Sequence, residues 1–365
     1  MNVTELTREL VSIPSYEDET AAGDFIETWL GREAGGDATI TRDEVGNVIA
    51  RKGEPAPQTL ALVGHHDVVE PAPSQVQDEG ESSGEYVVDE RDGRLYGRGT
   101  ADMNGAVAAA MLAFVEADPT GELVFASFVG EEVGGVGARH AIDAGFAPDY
   151  AVVGEGSTGY SSPGVTDVAV AHKGRRGSTI TATGATAHAS EADAGENAVY
   201  RATDAVGIVR NLERPAVDVA GDRLEGSVVV TEIQGGTAMN VVPDRCEITV
   251  DERTVPGERA ALERVEGIEG VEWTVDQDLP PMQCGDEGFA DAVREAASAA
   301  QPGTPEHVTK PHATDAGWLA DAGTDCVVCG PAEPGEAHTD DESVSIEVLE
   351  RCRETYRHVA ESWPQ

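Results

Sequence analysis

Apolar positions along the chain alternate between helical spacing and short continuous runs. Helical spacing predicts helices over residues 4–11, 18–30, 104–116, 287–299 and 345–362. Continuous apolar runs predict buried strands over residues 59–63, 122–129, 150–153 and 325–329. Strands that alternate with helices are typical of an α/β fold, in which a largely parallel sheet is flanked by helices.

The pattern changes after about residue 173. Strands are predicted over 178–183, 227–233, 246–251 and 271–275, with helices over 196–212 and 258–265. This order, β-α-β-β-α-β, predicts a ferredoxin-like α+β unit. We therefore expect one domain made of residues 1–172 and 282–365, with residues 173–281 inserted as a second domain. The polar segment 71–93 predicts a surface loop.

Acidic and histidine side chains follow three of the predicted strands. His65 and Asp67 come after the first, the pair Glu131–Glu132 after the second, and Glu155 after the third. Residues i and i+2 of a strand point to the same side, so His65 and Asp67 can face one site. Ligands of open α/β sheets bind at the carboxyl ends of the strands, which is where these side chains lie.

Asp102 and His338 extend this set. Asp102 follows the turn Gly97–Gly99, and its two oxygens could bridge two cations, although it could instead cap the following helix. His338 could also be a surface histidine, and the Glu131–Glu132 pair a solvated strand end. Imidazoles and carboxylates without a nearby thiolate suit Zn, Co or Mn.

The charges of the predicted ligands favour two ions and a hydrolytic reaction. Asp102, Glu132 and Glu155 carry three negative charges, more than one divalent ion neutralises. Of the two adjacent acids, one would bind metal and the other would act as general base. Such a set indicates metal-assisted hydrolysis.

The net charge changes the picture of the surface. Lys and Arg number 25 against 68 Asp and Glu, giving a formal net charge of −43. Such a surface repels itself at low salt, and molar salt screens the repulsion. We therefore predict a cytoplasmic protein of a halophile that accumulates salt. The charge argues against nucleic acid as a partner. The N-terminus lacks the pattern of a signal peptide, and the apolar stretch 106–115 is too short to span a membrane.

The motifs described above resemble those of the dinuclear-zinc amidohydrolases, a family that includes acetylornithine deacetylase, succinyl-diaminopimelate desuccinylase, aminoacylase and certain carboxypeptidases. The resemblance runs nearly end to end, and its most specific segments are 64–67, 97–105, 130–134, 235–243 and 337–342. It implies two Zn²⁺ ions, with Co²⁺ or Mn²⁺ as alternatives, and a cis peptide bond after Asp102.

The resemblance also implies a role for each predicted site residue. One zinc would be held by His65, Asp102 and Glu155, and the other by Asp102, Glu132 and His338. Glu131 would be the general base that moves a proton from water to the leaving amine. Asp67 would orient His65 through the second ring nitrogen.

For the inserted domain, the resemblance implies a lid that also forms a homodimer. His188 would reach the active site of the partner subunit and polarise the scissile carbonyl, although it could be an ordinary loop histidine. Asn240 and Arg253 would bind polar groups of the substrate, and the guanidinium of Arg253 suits a carboxylate. The chain departs from the family at 86–89, where many relatives carry an aromatic-Pro-Phe segment.

The predicted reaction is hydrolysis of an N-acyl amino acid. A succinyl group needs an added cation, and the basic residues Lys173, Arg175, Arg176 and Lys310 slightly favour the desuccinylase over the acetylornithine deacetylase. These side chains could equally pair with nearby acids. A dipeptidase or carboxypeptidase, a hydrolase of carrier-protein conjugates and a non-catalytic metal-binding homologue remain alternatives. Retention of Glu131 argues against the last, since a pure binding site needs no base.

The acidic surface predicts that salt stabilises the fold. We expect the free energy of unfolding to rise between dilute buffer and molar KCl, because screening removes repulsion among the carboxylates. Urea unfolding at both salt concentrations measures this change, with an equal osmolality of glucose as a non-ionic control. Equal stability with and without KCl would contradict the prediction.

Overall fold

The computed structural model describes residues 1–36, 38–77 and 84–363. It forms two compact units. The first consists of Met1–Ala171, Met282–Lys310 and Thr314–Gln365, and the second of His172–Pro281 with Pro311–Ala313.

Helices occur in both units. In chain order they are α1 (Val3–Val11), α2 (Thr20–Glu33), α3 (Asn104–Glu116), α4 (Val136–Asp143), α5 (Ala198–Arg210), α6 (Glu287–Ala299), α7 (Asp315–Asp321) and α8 (Ile346–Ser362). Short 3₁₀ helices span Pro73–Gln75, Ala189–Ala194 and Leu262–Gly267. Side-chain caps mark the starts of α1, α5, α6, α7 and α8. For example, the Asn2 side chain accepts from the Glu5 N–H, and the Glu5 side chain accepts from the Asn2 N–H, which begins α1 with a capping box.

The strands make up five sheets within the described residues. They are β1 (Thr39–Arg42), β2 (Val48–Lys52), β3 (Thr59–His65), β4 (Asp89–Arg91), β5 (Arg94–Tyr96), β6 (Glu122–Phe128), β7 (Tyr150–Val153), β8 (Val168–His172), β9 (Gly174–Thr183), β10 (Ala187–His188), β11 (Ala216–Val219), β12 (Asp222–Glu225), β13 (Ser227–Gly235), β14 (Val241–Val242), β15 (Arg245–Thr254), β16 (Val271–Leu279), β17 (Met282–Gln283), β18 (His307–Lys310), β19 (Asp325–Val328) and β20 (Ser343–Ser345).

The large sheet of the first unit has the order β1-β2-β6-β3-β7-β19-β8-β17, and β18 pairs with β8. Its centre, β6-β3-β7-β19, is parallel, while β1, β2 and β8 join antiparallel. The predicted largely parallel sheet is confirmed. Since parallel strands end at the same edge, the chain segments after His65, Phe128, Val153 and Val328 all leave from one edge of this sheet.

Helices cover both faces of this sheet. Ala61 and Val63 of β3 belong to a core cluster with Ala138 of α4 and Leu319 of α7. The opposite face packs on α3, where the rings of Phe114 and Phe125 lie 6.3 Å apart. Burial on both faces explains why β3, β6 and β7 read as continuous apolar runs rather than alternating ones.

The second unit contains an antiparallel sheet of order β13-β15-β9-β16. With α5 and the 3₁₀ helix at Leu262–Gly267, it gives the predicted ferredoxin-like arrangement. Along β15, buried Cys246, Ile248 and Val250 alternate with exposed residues, so one face packs on the helices. The hairpin β11–β12 and the pair β10–β14 are additions to this arrangement.

Two sequence predictions need correction. The helix expected over 258–265 is not an α-helix, because the chain forms only the 3₁₀ helix Leu262–Gly267. A segment this short, between Gly257 and Gly267, forms too few helical hydrogen bonds to offset the free-energy cost of helix nucleation. The Ala260 N–H also donates to the Glu252 side chain at 3.0 Å. The expected loop 71–93 contains a 3₁₀ turn and β4, while residues 78–83 lie outside the described part. No helix in the described residues is long and apolar enough to cross a membrane.

The core of the second unit predicts a large loss from one truncation. Ile248→Ala removes a fully buried side chain, and we expect it to lower the free energy of unfolding by about 2–5 kcal/mol. Thr249→Ala, next in the same strand but exposed, is the matched control and should cost under about 1 kcal/mol. Urea unfolding in molar KCl compares them, and equal losses would contradict the burial described here.

Candidate dinuclear metal centre

The candidate site lies at the carboxyl edge of the parallel strands. His65 is the last residue of β3, Glu131 and Glu132 follow β6, and Glu155 follows β7. Because these strands are neighbours and parallel, their ends meet and carry the side chains together. The predicted clustering at strand ends is therefore what the first unit shows.

One group of potential metal ligands contains His65, Asp102 and Glu155. His65 Nε2 lies 3.2 Å from Asp102 Oδ1 and 3.3 Å from Glu155 Oε1. His65 is only 1% exposed, and the two carboxylates are partly buried.

A second group contains Asp102, Glu132 and His338. His338 Nε2 lies 3.0 Å from Asp102 Oδ2 and 2.8 Å from Glu132 Oε1. Asp102 thus presents Oδ1 to one histidine and Oδ2 to the other, which is the arrangement required of a bridging carboxylate. The alternative role as a helix cap does not apply, because Met103 occupies the N-cap position of α3.

The electrostatics of both groups fit divalent cations. Hydrogen bonds to Asp102 and Glu132 raise the pKa of His338 to about 10, despite the opposing effect of burial. Burial lowers the pKa of His65, yet Asp67, Asp102 and Glu155 outweigh it and raise the pKa well above its ordinary value. Both imidazoles are therefore surrounded by groups that stabilise positive charge at Nε2. A cation that takes the place of those protons finds nitrogen and oxygen donors suited to zinc, cobalt or manganese.

Asp67 connects the first histidine to the loop after β6. Its Oδ1 lies 3.3 Å from His65 Nδ1 and also accepts from the Glu131 N–H at 3.1 Å, while Oδ2 accepts from the Glu132 N–H at 3.0 Å. Burial opposes ionisation, but these partners together hold the pKa of Asp67 below its ordinary value. The side chain contacts His65 Nδ1 and also accepts from the Glu131–Glu132 backbone, a contact that the sequence did not reveal.

Glu131 sits among several negative charges. Burial, with further contributions from Asp315, Glu155 and Asp102, raises the pKa of Glu131 well above its ordinary value, while His65 opposes this. A carboxyl group in such surroundings has a raised proton affinity, which is a property that a general base requires.

The loop that carries Asp102 is tightly packed. Gly99 has φ +83°, and a Cβ there would lie 2.7 Å from Val68 Cγ1, so glycine is required. The peptide bond Asp102–Met103 is cis, as the family resemblance implied. A buried pair formed by Arg98 and Glu342 borders this loop, with 2.5 Å between Nη1 and Oε2.

Sequence reasoning did not assign three polar residues around the site. Glu342 is one of them. Lys310, considered only for substrate binding, is buried with Nζ 3.8 Å from Glu155 Oε2. Asp315 is 3% exposed, and neither of its oxygens has a hydrogen-bond partner within the described residues. Burial is the main cause that raises the pKa of Asp315 to about 7, with His65 acting against it. No local pattern marks these residues, since each acts through contacts distant in sequence.

His188 and Asn240 lie close together within the second unit. His188 of β10 pairs with Val241 of β14, and the Ala189 N–H donates to the Asn240 carbonyl at 2.9 Å. The His188 ring is exposed, with Nδ1 2.7 Å from Ser190 Oγ.

Arg253 belongs to a different part of the same unit. It lies opposite Arg175 on the antiparallel strands β15 and β9, and both arginines pair with Asp251 at 2.9 and 2.8 Å. Two guanidinium groups share one carboxylate there, which leaves one positive charge in excess. Arg176 pairs with Asp278 at 2.7 Å. Of the basic residues considered for a succinyl group, Arg175, Arg176 and Lys310 thus already have acidic partners.

Comparison with known proteins gives a family and relatives. Residues 61–362 match the model of peptidase family M20/M25/M40. Acetylornithine deacetylase from Myxococcus xanthus is 32% identical over 84% of this chain and 81% of its own length. Succinyl-diaminopimelate desuccinylase from Stenotrophomonas maltophilia (strain R551-3) is 30% identical over 98% of both chains.

Solved structures share the fold. Aminopeptidase PepT from Bacillus cereus ATCC 10987 superimposes with a TM-score of 0.77, covering 98% of this chain and 97% of its own, at 20% sequence identity. At this identity the likeness concerns the fold, and it agrees with the mixed α/β architecture described above.

The position of Asp102 between the two groups predicts an unequal pattern of metal loss. Asp102→Ala should reduce bound zinc from about two per chain to well below one, whereas Glu155→Ala should remove about one, because only Asp102 faces both groups. Asp340→Ala, an exposed acid two residues from His338, is the control and should leave the zinc content unchanged. Elemental analysis after dialysis measures all three, and full zinc content in Asp102→Ala would contradict the bridging role.

Proposed function

Because the chain belongs to peptidase family M20/M25/M40, whose members hydrolyse amide bonds, we propose that it deacylates N-acyl amino acids with two divalent cations. The observation that carries the proposal is the single Asp102 carboxylate, which faces His65 through Oδ1 and His338 through Oδ2, with Glu131 close by. His65, Asp102 and Glu155 would hold one ion, and Asp102, Glu132 and His338 the other, with zinc the leading candidate.

Two cations bound there would supply Lewis-acid activation of a water molecule and of the scissile carbonyl. Glu131 would accept the proton of the attacking water and deliver it to the amine nitrogen as the amide C–N bond breaks. Its raised proton affinity favours the first transfer. Asp67 would hold both His65 and the Glu131 backbone in place, so that base and ligand keep a fixed separation.

Residues of the second unit would bind the substrate. His188 would donate a hydrogen bond to the scissile carbonyl in the active site of a partner subunit, and its exposed ring is compatible with that role. Asn240, adjacent to it, would bind a polar substrate group. Arg253 would take a substrate carboxylate, and the excess positive charge that it shares with Arg175 supports this in so acidic a chain.

A homodimer is part of the proposal, since His188 would act across subunits. The second unit offers a surface suited to it: β13 is an edge strand of its sheet and exposes Val229 and Ile233, which are 50% and 51% accessible. Exposed edge strands with apolar side chains favour pairing with another chain. The net charge supports the further proposal of a cytoplasmic enzyme that works in concentrated salt.

We propose that the acyl group of the substrate is acetyl or succinyl. The two relatives described above are named for acetylornithine and succinyl-diaminopimelate, and both are N-acyl amino acids. Lys173 is a candidate for the distal carboxylate of a succinyl group, as is Arg175, which shares its partner Asp251 with Arg253. Lys310 is an unsuitable one, because its buried amine lies beside Glu155.

A side-by-side assay tests the proposal. In molar KCl with added Zn²⁺ or Co²⁺, the enzyme should hydrolyse N-succinyl-diaminopimelate or N-acetyl-ornithine, and chelation should abolish the activity. Glu131→Gln should lower kcat by about 10²–10⁴-fold while the metal content stays unchanged, because only the proton transfer is lost. Hydrolysis of dipeptides alone would move the function to a dipeptidase. No hydrolysis of any amide by the metal-loaded enzyme would refute the proposal and favour a non-catalytic role.

A further inference from the structure

Arg98 and Glu342 form an ion pair that is almost fully removed from solvent. Their side chains are 4% and 0% exposed, and Arg98 Nη1 lies 2.5 Å from Glu342 Oε2. A second nitrogen of Arg98, Nη2, donates to the Glu70 carbonyl at 3.3 Å. Burying two charges is unfavourable unless each is well paired, and a buried ion pair often adds little net stability. We therefore expect a further role of this pair in its contacts with the loop that carries Asp102.

The other carboxylate oxygen of Glu342 holds the backbone of the loop that carries Asp102. Glu342 Oε1 accepts from the Ala101 N–H at 3.0 Å and from the Asp102 N–H at 3.2 Å. The main-chain carbonyl of Glu342 also accepts from the Gly97 N–H at 3.0 Å. One residue therefore contacts the loop backbone at its beginning through its main-chain carbonyl and at its end through Oε1, while Oε2 pairs with Arg98.

Glu342 is also tied to the second histidine. It lies four residues after His338, and its own N–H donates to the Thr339 carbonyl at 3.3 Å. The same Thr339 carbonyl accepts from Gln75 Nε2 at 3.2 Å. Asp102 and the segment 338–342 are therefore linked twice. The Asp102 carboxylate contacts His338, and the Asp102 N–H donates to the Glu342 side chain.

We propose that Glu342, charge-paired with Arg98, is a positioning residue that sets the separation between the Asp102 carboxylate and His338. Glu342 belongs to neither candidate ligand group, and it acts by fixing the backbone from which each of the two side chains extends. The proposal rests on the two-cation site proposed above. Partners of this kind typically change metal affinity by about 10–100-fold when they are removed.

Paired variants separate the positioning role from a structural one. Arg98→Met with Glu342→Gln removes both buried charges, but the glutamine Oε1 can still accept from the two backbone N–H groups. Arg98→Met with Glu342→Leu removes the charges and the acceptor at similar volume. Titration with Co²⁺, followed by the visible absorption of the bound ion, reports the affinity and the geometry of each site.

We expect the leucine double variant to bind its second Co²⁺ at least about tenfold more weakly than the glutamine double variant. The visible absorption spectrum of the bound Co²⁺ should also differ between the two variants. Ile26→Ala, a core truncation in α2, is the control for lost stability and should leave Co²⁺ affinity and spectrum unchanged. Wild-type affinity and spectrum in the leucine variant, together with reduced stability of the metal-free chain, would overturn the proposal and leave Glu342 a structural residue.

A further variant keeps the test decisive if the leucine chain does not fold. Glu342→Asp retains the charge beside Arg98 but withdraws the acceptor by one methylene, so it should also weaken the second Co²⁺, and unchanged binding would overturn the proposal. The wild-type titration separates this outcome from failure of the proposed function. Wild-type protein that binds fewer than two Co²⁺ ions removes the two-cation site itself, and the positioning role falls with it.

Discussion

Repulsion among the carboxylates at the carboxyl edge of the parallel strands constrains the whole site. Asp102, Glu131, Glu132 and Glu155 are gathered within a partly buried region, where like charges interact more strongly than in water. Burial and mutual repulsion raise the pKa of Glu131, and the same negative potential raises the pKa of His338 to about 10. Divalent cations neutralise such a potential, so the arrangement that is unfavourable by itself also makes this edge a candidate metal site.

The fold maintains this arrangement with groups that bind backbone rather than substrate. Asp67 accepts from the N–H groups of Glu131 and Glu132, and Glu342 accepts from those of Ala101 and Asp102. The loops after β6 and β5 are thereby each fixed by a buried carboxylate from elsewhere in the chain. The parallel sheet brings the loops together, and these hydrogen bonds hold the two candidate ligand groups in place.

The sequence predicted what local pattern encodes. The bounds of α3, β7 and α6 agree with the apolar pattern to the residue, because α3 and β7 are buried and α6 buries one regularly spaced apolar face. The residues of the two candidate ligand groups were also identified in the sequence, since strand ends, a glycine turn and a family resemblance converge on them. Short, half-exposed elements such as β1 and β2 carry too weak a period to be recognised. The contacts of Glu342 and Asp315 depend on residues far away in sequence, and no local spacing reveals them.

Anomalous diffraction at the zinc absorption edge tests the central claim most directly. In crystals grown with zinc, the account predicts two peaks, one beside His65, Asp102 and Glu155 and one beside Asp102, Glu132 and His338. Two-metal sites place their ions about 3.5–4 Å apart, and the Asp102 carboxylate should lie between them. A single peak, or peaks away from Asp102, would contradict the account.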